Sequence, residues 1–173
     1  MSSSFRFDDP DVFTAGAVGE PGHRTFFLQV AEGSQVVSLK CEKQQVAALA
    51  QYLAELLADL PPVAPALSPP ALALSEPVLA EWVVGSMGVA YDDADERFVL
   101  VIDELVAEED EGGEPEPTPG VARLRLTPAQ VASFVPWAEE LVGQGRPLCP
   151  LCGRPMDPEG HACPRTNGHH RPS

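Results

Sequence analysis

The segment from Pro61 to Pro77 reads PPVAPALSPPALALSEP and carries six prolines in 17 residues. Each proline removes an amide donor and fixes φ near about −65°, so this stretch can join neither a sheet interior nor a helix. It reads as a linker of polyproline character. It leaves a segment of comparable length on either side, and the fold has to be built from those two.

The two segments look alike. The first offers Phe13-Thr14-Ala15-Gly16-Ala17-Val18-Gly19 and the second Trp82-Val83-Val84-Gly85-Ser86-Met87-Gly88, each an aromatic residue followed by two glycines at the same spacing. An extended apolar run follows in both, Phe26 to Val30 and Phe98 to Ile102. A third strand-like run comes next, Val36 to Lys40 and Val121 to Leu126. A helix sharing Gln-Val-Ala then closes each unit, at Gln45-Val46-Ala47 and Gln130-Val131-Ala132.

In the first helix Val46, Leu49, Leu53, Leu56, Leu57 and Leu60 recur at three- and four-residue spacing and line one face. Pro61-Pro62 ends it. In the second, Thr127-Pro128-Ala129-Gln130 supplies an N-cap, a first-turn proline and a glutamine three after the cap. Val131, Phe134, Val135, Ala138, Leu141 and Val142 form its apolar stripe, Gly143 or Gly145 ends it, and Pro136 inside it predicts a kink. Strand 121–126 alternates, with Arg123 and Arg125 on one side and Ala122, Leu124 and Leu126 on the other.

The expected fold class is therefore α+β. Two pseudo-repeated strand-strand-strand-helix units form an antiparallel sheet with helices on one face, and a zinc-ribbon-like tail follows. The boundaries are 1–60 for the first unit, 61–77 for the linker, 78–145 for the second unit with an acidic loop at 107–120, and 146–173 for the tail. A unit of about 60 residues is marginal alone, so the two should share a core.

The tail carries the sharpest chemical signal. Cys149-Pro150-Leu151-Cys152-Gly153 and His161-Ala162-Cys163 make a Cys-x2-Cys-x8-His-x-Cys array that holds three of the chain's four cysteines. Two thiolates two residues apart reach one ion, and a tetrahedral zinc site needs two more ligands. Cys163 is the third and His161 the choice for the fourth, with His169 the rival and His170 behind it. Four protein ligands close the site, which makes the zinc structural. Without His161 a position would stay open for catalysis. A redox reading of Cys149-x-x-Cys152 would need the motif at a helix start after a strand, whereas here it follows a helix end. The remaining Cys41 reads as a small buried residue.

The formal net charge is −15, and residues 146–173 contribute four arginines against Asp157 and Glu159. That segment is therefore +2, and the preceding residues, with seven cations against 24 carboxylates, are −17. A field of that sign repels phosphate backbones and argues against nucleic acid as a partner. No apolar run approaches membrane-spanning length, and the first residues lack a signal peptide's apolar core. Thiols in metal spacing fit a reducing cytoplasm.

No nucleophile elbow, His-Glu-x-x-His or phosphate-loop pattern is present. Gly19-Glu20-Pro21-Gly22-His23-Arg24 combines a carboxylate, an imidazole and a guanidinium, yet Pro-Gly is the preferred centre of a type II turn. With Glu42 and Lys43, the residues Glu20, His23 and Arg24 are the candidate contacts for a small anionic or phosphorylated substrate. Tyr91 to Arg97 reads as a solvated acidic turn, and Glu108 to Glu116 as a solubilising loop. Nothing here requires a reaction. The leading expectation is a cytoplasmic zinc-binding adaptor or regulator with a protein partner that the sequence does not name.

Four motifs together resemble an actinobacterial family known only as a domain of unknown function. They are Gly16-x-x-Gly19-x-Pro21-Gly22-x-Arg24-x-Phe26-x-Leu28-Gln29, Glu42-Lys43-Gln44-Gln45-Val46, Gly145-Arg146-Pro147-x-Cys149-Pro150-x-Cys152-Gly153 and Gly160-His161-x-Cys163-Pro164-Arg165-x-Asn167-Gly168. The resemblance covers nearly the whole chain outside the linker and the acidic loop. It implies one unit and a bacterial cytoplasmic context, and brings no activity with it.

Overall fold

A computed structural model describes residues 2–20, 22–107, 118–143 and 151. The expected zinc ligands Cys149, Cys152, His161 and Cys163 and the acidic run 108–116 lie outside the described residues. In chain order the elements are β1 (Phe5–Phe7), β2 (Val12–Val18), β3 (Thr25–Glu32), β4 (Gln35–Cys41), α1 (Lys43–Ala58), a 3-10 turn (Pro69–Leu72), β5 (Ala80–Asp92), β6 (Arg97–Glu104), β7 (Val121–Leu126) and α2 (Pro128–Gly143). The strands form one seven-stranded sheet in the order β1-β7-β6-β5-β4-β3-β2.

The α+β class holds, but the sheet is mixed rather than antiparallel. Each three-strand meander is antiparallel, while β4–β5 and β1–β7 pair in parallel. The cause is the route of the chain. After β4 it passes through α1 and the proline segment before entering β5, and a crossover of that kind delivers a parallel neighbour.

β1 and β2 sit at opposite ends of the strand order, yet only residues 8–11 separate them. Four linking residues span at most about 18 Å. Six inter-strand steps laid flat would need about 29 Å. The sheet therefore curls, and its inner face closes over one core.

That face reads off the register: Phe13, Val30 and Val37; Ala15, Leu28 and Leu39; Phe98 and Leu126; Leu100, Leu124 and Phe7. All of these are buried and belong to one cluster with Val46, Leu49 and Leu53 of α1 and Val131, Phe134 and Ala138 of α2. Both helices thus pack on the inner face, and the two halves share a core. Each fully buried aliphatic or aromatic side chain contributes roughly 1.5–3 kcal/mol.

The helix starts follow the sequence signals. Gln130 N–H donates to Thr127 Oγ1 at 3.1 Å and Thr127 N–H to Gln130 Oε1 at 2.9 Å, the reciprocal capping box. In α1, Glu42 N–H donates to Gln45 Oε1 at 2.8 Å. Each glutamine has a second bond: Gln45 Nε2 donates to the carbonyls of Val84 and Gly85, and Gln130 Nε2 to the carbonyl of Pro10. α2 runs as one helix across Pro136.

The proline segment is a docked strap, and part of it, Pro69–Leu72, forms the 3-10 turn that its proline content argued against. Prolines suit the first positions of such a turn, where no amide is required. The strap crosses α2 through Ala66 N–H to Ala129 O and Leu67 N–H to Ser133 Oγ. It then covers the outer face of β2–β3–β4. Thr14 Oγ1 donates to Leu72 O at 2.6 Å, and a methyl group on Gly16 would collide with Leu74. Gln29 clamps Ser75, accepting its N–H at 2.7 Å and donating to its carbonyl at 3.0 Å. Gln29 is 3% exposed. Gln29→Leu leaves both strap groups without their partner and should cost about 2–3 kcal/mol in urea unfolding.

Candidate functional site

The β2–β3 turn holds His23 and Arg24. His23 N–H donates to Glu20 O at 2.9 Å, and Gly22 has φ +91° at the third position, as a type II turn requires. Phe26 pairs with Cys41 across β3 and β4. Arg24 and Lys43 each lie two residues beyond that pair, so both emerge at one end of the sheet. This corner gathers two cations, but through a turn held by backbone bonding.

Two grooves flank α1. One, of about 430 Å³, lies between α1 and the distal half of β5 and is lined by Ala48, Leu49, Tyr52, Met87, Gly88 and Val89. The other, of about 510 Å³, lies between the two helices, with Ala50, Ala54, Glu55 and Ala58 on one wall and Glu139 and Val142 on the other. His23, Arg24 and Lys43 line neither groove. The linings are mainly apolar, which suits contact with another apolar surface more than proton transfer.

The first groove was hidden in the sequence because Leu49 belongs to the apolar stripe and Tyr52 stands outside it. A signal did exist. Tyr52 and Trp137 both stand seven residues after the glutamine of the shared Gln-Val-Ala. Trp137 fits tightly against β2, where its Nε1–H donates to Ala15 O at 2.7 Å and Phe134 stacks on Phe13 at 4.7 Å. Tyr52 instead borders an open groove and is 48% exposed.

Among the described residues no group of three His, Cys, Asp or Glu side chains is placed to hold a metal. The acidic turn after β5 uses its carboxylates internally. Asp92 Oδ1 accepts the amides of Ala94 and Asp95, and Arg125 bridges Asp92 and Asp95 at 3.3 and 2.7 Å. The Asp95 amide, followed by the Arg125 guanidinium, holds the Asp92 carboxyl below the usual aspartate range. A lowered pKa gives stability present above the unfolded value and lost as pH falls through the folded one. Asp92→Asn should therefore lower stability at neutral pH and converge on the unsubstituted protein as pH falls below about 4, as measured by thermal unfolding across that range.

Cys41 is buried at the β4–α1 junction, as expected. Burial first, then the charge of Glu42, pushes its thiol up to about 12. Cys41 should stay unlabelled by iodoacetamide in the folded protein at pH 8 and react fully in guanidinium, as read by peptide mass.

Among the described residues no helix is long and apolar enough to cross a membrane. Comparison with characterised proteins and with solved structures finds no match. The sequence model of a family described as "Protein of unknown function (DUF3090)" matches residues 5–163, a span that takes in both three-strand meanders, both helices and the Cys-His array. The chain belongs to this family of unknown function.

Proposed function

We propose that this protein is a cytoplasmic, non-enzymatic adaptor or regulator, with one structural zinc ion held by Cys149, Cys152, His161 and Cys163. The observation that carries the reading is the array itself: its four ligands fall inside the span that the family matches, which ends at Cys163. The mainly apolar linings of both α1 grooves support a role in contact rather than chemistry. Nucleic acid is disfavoured by the −17 charge of residues 1–145.

The body carrying this tail is, on the same reading, a duplicated strand-strand-strand-helix unit. Arg6 stands opposite Arg123 as Ala80 stands opposite Ser38. Gln130 reaches Pro10 as Gln45 reaches Val84. Trp137 meets Ala15 as Tyr52 shares a groove with Val89. One shift of 74 residues carries Arg6, Pro10 and Ala15 onto Ala80, Val84 and Val89. β1 and β2 then correspond to the two halves of β5. In this register Phe13 matches Met87 rather than Trp82, so the glycine motif that first suggests a repeat is displaced from it by five residues.

The test is isolation of the full chain from gently lysed cells. The reading expects a stable complex with a protein partner that is lost when Cys149 and Cys152 are replaced by serine. Recovery as a free chain contradicts it. Retained turnover of a small phosphorylated compound, abolished by His23→Ala or Lys43→Ala, would instead favour the enzyme reading built on Glu20, His23, Arg24 and Lys43.

A further inference from the structure

We infer that the groove between α1 and α2 is the docking site for this chain's own C-terminal segment, residues 144–173. Attachment favours this segment. α2 ends at Gly143, and Glu139 and Val142 of its last turn form one wall of the groove, so the chain leaves the helix at the groove's margin. Thirty further residues follow Gly143 in the sequence. At about 3.3 Å per extended residue, a fraction of them is enough to return along α1, whose 16 residues rise about 24 Å.

Charge favours it as well. The groove's carboxylates are Glu55 and Glu139, and no arginine among the described residues pairs with either. Residues 146–173 are the positively charged part of an acidic protein, with Arg146 and Arg154 flanking the Cys149–Cys152 pair. Zinc on three thiolates and one histidine leaves the segment still net positive. A second copy of the chain would bring a −17 body against these carboxylates, and the acidic run 108–116 carries the wrong sign. Alanines at 47, 54 and 58 leave room for a backbone to approach closely.

The attachment and charge arguments do not depend on zinc, so the experiment keeps the two readings apart. Full-length protein labelled at alanine methyls is studied by NMR before and after chelation, with metal content measured on each sample. Contacts from the Ala47, Ala54 and Ala58 methyls to protons of residues 144–173, independent of protein concentration, are the expected result. Their absence overturns the proposal, as do contacts that appear only as concentration rises, which would mean a second copy.

Glu55→Arg with Glu139→Arg supplies the second readout. Losing two exposed charge pairs should speed tryptic cleavage after Arg165 roughly twofold to thirtyfold, since cleavage tracks the open population. An unchanged rate in the folded double variant also overturns the assignment.

Discussion

Replacing Phe134 with alanine should lower the unfolding free energy by about 3–5 kcal/mol, the range for the largest core truncations. Phe134 is fully buried and stacks on Phe13 with centroids 4.7 Å apart and planes 27° from parallel. Such a pair contributes about 0.5–1.5 kcal/mol beyond the area it buries. The position also joins the two halves, because Phe134 lies on the second helix and Phe13 on the first meander. Loss of the ring leaves a cavity where α2 meets β2. Urea unfolding followed by circular dichroism checks the value. Phe134→Leu should cost distinctly less, and equal losses for the two variants would mean that volume at this site does not matter.

Replacing one of the proposed zinc ligands should change metal content far more than it changes the core. Cys149→Ser is expected to abolish bound zinc, because structural zinc sites carry apparent binding energies of roughly 10–16 kcal/mol that depend on every thiolate. His161→Ala should do the same, while His169→Ala retains the metal. Since the described core contains no metal ligand cluster, the body's unfolding midpoint should move by no more than a surface substitution would move it. Metal analysis and thermal unfolding of the three variants together decide this. Retention of zinc by His161→Ala with loss by His169→Ala would reassign the fourth ligand.

The helices and most strands were legible because their signals are local. Val131, Phe134, Val135, Ala138 and Leu141 mark α2, and the Thr127–Gln130 box sits where the sequence puts it. Strand β7 shows the expected alternation, with Ala122, Leu124 and Leu126 buried. What escaped was non-local. β1 is only Phe5-Arg6-Phe7, and its partner Ala122-Arg123-Leu124 lies more than a hundred residues away, so no window of sequence contains the pair. The curl of the sheet follows from that pairing and escaped with it.

The strap shows the same limit. Proline content told where a ladder could not form, but the docking depends on Thr14 and Gln29, which look like ordinary solvent-facing alternations in β2 and β3. The grooves beside α1 depend on how far each helix stands from its strand. Tyr52 and Trp137 occupy matching positions, and only their packing distinguishes them. Similar local codes thus lead to a closed contact in one half and an open one in the other.

Zinc-edge X-ray absorption of protein purified without added metal tests the proposed closed metal site most directly. Stoichiometric zinc with three sulfur neighbours at about 2.3 Å and one nitrogen at about 2.0–2.1 Å is the expected result. A chain without zinc, or a zinc shell in which a water oxygen replaces the nitrogen, would contradict it.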